Sequence, residues 1–237
     1  MDENSIISFF KSKRICVIKH FPHISLDVPK GYIASLSMSM MEFEKYNLKM
    51  SDVGVDRLFR NFESWLEVKP RYSRLFCDVE RYKDDEKEPM SKFGQGYRYS
   101  QMYDGKRICR TKVDGRDFMR EISDYYDRYH KRVTKIVNRL IKTGRDVLIL
   151  DIHSYSDELA LSLGKRPPFP DVCIGVNRGY CDQEVLNYII RIVLDKGLSY
   201  EINEPYSGSF LPANLIENEG FGKVFSIMIE INKKVYL

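Results

Sequence analysis

The stretch that most restricts how this chain can fold is Asp146-Val147-Leu148-Ile149-Leu150-Asp151-Ile152-His153-Ser154-Tyr155. An apolar run stops at a histidine flanked by an acid and two hydroxyls. Apolar runs of this length between turn signals read as strands buried on both faces, the pattern of a parallel sheet. In open α/β sheets ligands bind beyond the carboxyl ends of strands, and the run predicts His153 at such an end. A histidine there serves as a metal ligand or proton carrier, or simply as a hydrogen-bonded strand-end residue. The run alone leaves both readings open.

The rest of the chain alternates in the same manner. Arg14 to Lys19 reads as a first strand, broken by Phe21-Pro22-His23. A short helix is expected near Met38–Tyr46. Ser51-Asp52 is a good N-cap pair for a helix carrying Val55, Leu58, Phe59 and Phe62 at helical spacing. Strand-like pieces follow at Trp65–Lys69 and Tyr72–Val79. Residues 82–115 are charged and then rich in Gly and Tyr, a long irregular loop of the kind that usually carries function. Arg116–Lys142 has the clearest helical period, with Gly144 as its stop. Asp171–Val176 and Tyr200–Asn203 read as strands, separated by a helix at Asp182–Lys196. Phe225–Ile231 makes a last strand with one acid, Glu230, inside it. Strands alternating with helices predict a single α/β domain over residues 1–237, with a mostly parallel mixed sheet flanked by helices on both faces.

Composition narrows the function classes. With 43% hydrophobic residues in 237 there is apolar material for one sizeable core. The net charge is +4, from 38 basic and 34 acidic residues that are interleaved almost everywhere, so no nucleic-acid partner is expected. A mild positive balance suits a small anionic substrate. Five scattered cysteines without a CxxC argue against a disulfide framework and a cysteine zinc site. No signal peptide or apolar span is evident, so the expectation is a cytoplasmic protein with no membrane partner. Oligomeric state is not legible.

His23 and His153 both follow apolar strands and both can stand on one carboxyl edge of the sheet. Two imidazoles and one carboxylate, with a position left open, is the make-up of a catalytic zinc site. Asp52 and Asp56, one helical turn apart, are the candidate carboxylates, although Asp52 suits a helix cap equally well. His20 reads as structural, and His130 as a hydrogen-bonded helix residue. Glu230 is costly to bury unpartnered, so it is either a base or metal neighbour, an ion-pair partner, or an edge-strand residue facing solvent. Arg71, Arg74 and Arg81 surround a strand-like segment and offer planar forks for carboxylates. There is no Gly-rich dinucleotide loop and no GxSxG elbow.

Taken in order, these residues resemble the N-formylglutamate amidohydrolase family, which is itself similar to zinc carboxypeptidases in fold and site. The matching elements are Pro22-His23-Ile24-Ser25, Asp52, Arg71-Tyr72-Ser73-Arg74, Asp78-Val79-Glu80-Arg81, Tyr103-Asp104-Gly105, Tyr129-His130, Asp151-Ile152-His153-Ser154, Asp171-Val172-Cys173-Ile174-Gly175 and Glu230-Ile231 with Tyr236. Each is short; their co-linear order over nearly the full length carries the resemblance.

The resemblance implies a zinc-carboxypeptidase or phosphorylase/hydrolase-like fold and a zinc ion (Zn2+) held by His23, Asp52 and His153. It further implies Glu230 as general base, Arg74 and Arg81 against the substrate carboxylates or the oxyanion, and Tyr206 and Gly208 in the substrate site. The implied activity is zinc-dependent hydrolysis of the amide of an N-acyl amino acid, such as N-formylglutamate, or of a small acidic peptide. The alternatives are a catalytically silent metal-binding member of the fold, and a carboxypeptidase or peptidoglycan amidase. Three departures stand out. Ile24-Ser25 replaces the glycine after the first histidine and is expected to crowd a tight turn. Glu80 replaces an asparagine, adding negative charge. Ser207-Gly208-Ser209 replaces Lys-Gly-Gly, losing a cation.

Overall fold

The computed structural model describes residues 9–62, 64–212, 214–215 and 219–237. It contains six strands in one sheet: β1 (Ile15–His20), β2 (Leu66–Val68), β3 (Asp146–Tyr155), β4 (Val172–Val176), β5 (Tyr200–Ile202) and β6 (Val224–Asn232). Besides helical residues 9–12, the helices with described bounds are α1 (Met40–Met50), α2 (Val55–Leu58), α3 (Phe118–Ile141), α4 (Asp157–Ser162) and α5 (Gln183–Asp195), with short 3-10 turns among them. The sheet order is β2-β1-β3-β6-β4-β5. All neighbours are parallel except β4 and β6, which run antiparallel. This is the α/β, mostly parallel mixed sheet that the alternation predicts.

The chain divides into two compact units, one of residues 1–21, 54–68 and 132–237, the other of residues 22–53 and 69–131. The first holds the whole sheet. Along β3 every residue after Asp146 is buried. Successive strand residues point to opposite faces, so both faces of the sheet are covered there. Val147, Leu148, Ile149, Leu150 and Ile152 are each at most 2% exposed, a burial that stabilises by about 1.5–3 kcal/mol per side chain before entropy is counted. The strand extends through His153 to Tyr155, so the histidine lies inside the strand and not beyond its end. The pairing of Tyr155 with Asn232 carries the ladder past it.

The second unit has an aromatic core. Tyr32 stands edge-on to Phe43, Phe76 and Phe118. Its hydroxyl donates to Leu75 O at 2.8 Å and accepts from Arg110 Nε at 3.1 Å, which satisfies the one polar atom of a fully buried ring. α1 opens on a capping box in which Ser39 and Glu42 exchange side-chain to backbone bonds. It starts and ends later than the helix expected at 38–46, because the cap fixes its start and the apolar positions Phe43 and Met50 keep it folded to the end. Residues 82–115 are irregular, with one 3-10 turn at Pro89–Phe93 and isolated bridges such as Gln101 with Arg107.

Two expected elements take a different form. Tyr72–Val79 is not a strand. The Ser73 hydroxyl accepts the Leu75 N–H, and the Ser73 carbonyl accepts from Phe76 and Cys77, which winds the segment into turns. Nor does Asp52 cap a helix: Ser51 ends α1, while α2 is a single turn led by Gly54 at φ 87°. Asp52 and Asp56 therefore do not share a helix face. Among the described residues, no helix is long and apolar enough to cross a membrane.

Candidate active site

In the sheet-bearing unit, register alone assembles a polar row. His20 pairs with Asp151, and His153 pairs with Glu230 across parallel neighbours. Asp151 and His153 are two residues apart on one strand, so all four side chains lie on the same face. Cys173 pairs with Glu230 from β4 and extends the row. β6 lies between β3 and β4, so Glu230 is an interior-strand residue; the solvent-facing edge reading does not hold.

Asp151 is the hub of this row. One carboxylate oxygen is 2.8 Å from His20 Nδ1 and 3.3 Å from His153 Nε2, and the other accepts the Phe210 N–H at 2.9 Å. Burial opposes its ionisation, but the charge and hydrogen bonds of His153 and His20 outweigh that and hold its carboxyl well below the usual range. The Phe210 ring lies 4.3 Å from that of His20, centroid to centroid. His20, which reads as structural from sequence, is thus a partner of the same carboxylate as His153. Nothing local shows this, since the contact spans 131 positions.

The other unit carries His23, Asp52, Arg74 and Arg81, gathered around a residue that sequence reasoning gave no role of its own, Asp78. Its first oxygen meets His23 Nε2 at 2.8 Å and accepts the Glu80 N–H at 3.2 Å. Its second accepts from Arg74 Nε at 3.1 Å, Arg74 Nη2 at 2.8 Å and the Tyr99 hydroxyl at 3.0 Å. Arg81 Nε stands 3.8 Å away. Burial again opposes the charge, and the positive fields of His23, Arg74 and Arg81 hold the Asp78 carboxyl well below the usual range. Tyr99 is pushed up, by burial and then by Asp78, and stays a neutral hydrogen-bond donor. Arg74 also donates to Met50 O at 3.3 Å, so three of its N–H groups are engaged within the protein. Burial disfavours its charge too, but the carboxylates Asp78 and Asp52 more than compensate and keep it protonated.

His23 Nε2 faces a carboxylate and therefore carries the N–H, which in the neutral ring leaves the lone pair on Nδ1. Nδ1 lies 3.6 Å from Asp52 Oδ2. The Asp52 N–H donates to His23 O at 2.9 Å, so the backbone sets the two side chains together. An imidazole lone pair and a carboxylate oxygen at that spacing, with a second carboxylate behind the ring, is a donor set that fits zinc. Glu80 Oε2 is a further acid, 3.5 Å from His23 Nε2. His130, which sequence reads as a hydrogen-bonded helix residue, has Nε2 2.7 Å from Val79 O. Neither Ile24 nor Ser25 has a positive φ, so the backbone there does not demand glycine.

Tyr206 and Gly208 lie in the loop after β5, in the sheet-bearing unit. Tyr206 packs against Tyr155 at 5.5 Å, and Gly208 takes φ 84°.

The sheet-bearing unit is a mixed α/β sheet with a histidine–carboxylate row on its strands. The chain belongs to the N-formylglutamate amidohydrolase family, whose model matches residues 15–237. A solved structure, of N-formylglutamate amidohydrolase from Ralstonia eutropha JMP134, is similar with a TM-score of 0.76 and 20% sequence identity. The match covers 93% of this chain and 83% of that one, a likeness of fold. Comparison with curated proteins gives no match. The family supports an amidohydrolase acting on a carbon–nitrogen bond.

Proposed function

We propose that this protein is a zinc-dependent amidohydrolase that cleaves the amide of an N-acyl amino acid, such as N-formylglutamate, or of a small acidic peptide, in the cytoplasm. The observation that carries the reading is the register pairing of Glu230 with His153 on one face of the sheet. The His23–Asp52 donor pair in the other unit adds to it. His23, Asp52 and His153 would hold the ion. Bound zinc supplies a Lewis acid for the amide carbonyl and for water.

The remaining work falls to the chain. Glu230 takes a proton from the attacking water and returns it to the leaving amine. Arg74, kept charged by Asp78, offers positive charge to the developing oxyanion. Arg81 holds a substrate carboxylate, and Tyr206 with Gly208 lines the substrate side. Asp151 and Asp78 fix the ring orientations of His153 and His23.

A specific observation favours a second reading. Glu80 brings a third acid beside His23, in addition to Asp52 and Asp78. That charge suits a metal-binding protein without turnover as well as an enzyme. Metal analysis with a hydrolysis screen over N-formyl and other N-acyl amino acids and short acidic peptides separates the two. Stoichiometric zinc with no turnover on any of them would sink the enzyme reading. If zinc is held as proposed, His153→Ala should lose most of its metal; unchanged zinc content refutes that assignment.

A further inference from the structure

The loop carrying Tyr206 and Gly208 is tied down along its whole length. Asn203, at φ 59°, donates its own N–H to Ile174 O at 2.9 Å. Its side-chain oxygen accepts from Val176 N–H at 2.9 Å and from Gly208 N–H at 3.3 Å. One carboxamide therefore joins the end of β4 to the middle of the loop. Asn177 Nδ2 donates to Ser209 O at 2.7 Å, and Cys173 Sγ donates to Tyr206 O at 3.1 Å. Gly208 O comes so near β4 that a Cβ on Gly175 would lie 2.1 Å from it. Further on, the Ser209 hydroxyl meets that of Ser226, which donates to Phe210 O. The next donor along this path is the Phe210 N–H, and its acceptor is Asp151.

We infer that Asn203 is a positioning residue: it straps loop 204–210 to β4 and so sets the Phe210 N–H that holds the Asp151 carboxylate against His20 and His153. This rests on the site proposed above and adds to it a coupling between the substrate side and the histidine side. The physical reason is that a carboxylate has two oxygens with defined lone-pair directions. With one oxygen fixed by an amide, the other meets both imidazoles at a set angle; without that amide the carboxylate can rotate. The loop that contacts substrate and the acid that orients His153 then move together. Asn suits position 203 twice over, because it tolerates φ > 0 and carries an acceptor.

The test compares Asn203→Gly and Asn203→Asp with wild type in the full chain. Glycine takes a positive φ without strain but removes the acceptor, whereas aspartate tolerates the same φ and keeps one. The first readout is NMR of the metal-free protein: the Phe210 amide and the His20 and His153 imidazole resonances. The second is zinc affinity by competition with a chelator. Asn203→Gly should shift all three sets of resonances and weaken zinc about tenfold, while Asn203→Asp should stay within about twofold of wild type. Unshifted Phe210 and imidazole resonances in Asn203→Gly would overturn the inference, as would equal shifts in both variants. The NMR readout needs neither metal nor substrate, so it decides the role of Asn203 even in a protein that hydrolyses no N-acyl amino acid. If Asn203→Gly does not fold, Asn177→Ala removes only the tether to Ser209 and is read in the same way. Shifts at Phe210 and His153 support the strap, and their absence overturns it.

Discussion

Glu230 stands directly across from His153 in the parallel pairing of β6 with β3. Directly paired residues share a face, so an acid and a histidine are delivered side by side by backbone hydrogen bonds and not by a flexible loop. Glu230→Gln keeps the shape of the side chain and removes its basicity. The expected outcome is retained zinc with turnover reduced about 10²–10⁴-fold, the range of a positioned proton carrier. Metal content and initial rates on the same preparation check it, and full activity in the variant would refute the assignment.

How much of this was legible depends on where the information sits. The β3 run and the lone acid in β6 are local signals, five or more apolar residues with one exception, and both appear as strands. The pairing of Asp52 with His23 is not local. It depends on a backbone bond across 29 positions, so the same residue looks like a helix cap from sequence. Asp78 was hidden for a related reason. Its neighbours Leu75, Phe76, Cys77 and Val79 are apolar because they are buried in turns, and that apolarity imitates a strand. The Ser73 hydroxyl and carbonyl take the bonds that wind the segment into turns. His20 could not be linked to Asp151 without the register of β1 on β3.

Gly175 offers a purely steric prediction. Besides the Gly208 carbonyl, a Cβ there would meet Met228 Cε at 2.5 Å. A methionine end can move, but a backbone oxygen of a strapped loop cannot move cheaply. Gly175→Ala is therefore expected to destabilise by about 1–3 kcal/mol, the usual cost of overpacking a filled interior. Denaturant unfolding measures it. A variant as stable as wild type would mean the loop gives way freely, contrary to the contacts around Asn203.

Asp171 carries a pH signature away from the site. Ser199 donates to its carboxylate through both hydroxyl and backbone N–H, at 2.7 Å and 3.0 Å, and these bonds lower its pKa. A depressed carboxyl contributes stability above its unfolded pKa of about 3.9 and loses it as pH falls through the folded value. Ser199→Ala removes the hydroxyl bond and shrinks the shift. The stability difference between wild type and variant should be full at neutral pH and narrow as pH falls below about 4. Urea titrations at several pH values would show it; a difference that grows on acidification would contradict the sign.

Asp78 serves His23, Arg74 and Tyr99 at once, which makes Asp78→Asn the most informative single change. Asparagine keeps the volume but removes the charge that two arginines face, and its amide end donates where a carboxylate accepted. The Arg74 guanidinium is held by Asp78 and Met50 O, and loses its only ionic partner among those bonds. Uncompensated buried charge destabilises by about 3–5 kcal/mol when one partner of a buried pair is removed. The His23 ring also loses its acceptor at Nε2, so zinc affinity should fall about 10–100-fold. If His23 holds zinc as proposed, Asp78 couples stability to metal binding, and the two losses should appear together in Asp78→Asn. By contrast, Arg74→Lys keeps a positive charge beside Asp78 and leaves the His23 bond intact. It should cost turnover more than metal, because a lysine cannot reproduce the planar fork. Parallel losses of zinc and stability in Asp78→Asn, with zinc retained in Arg74→Lys, would confirm that the acid orients the ligand while the arginine serves the reaction. Zinc retained at wild-type affinity in Asp78→Asn would remove Asp78 from that role.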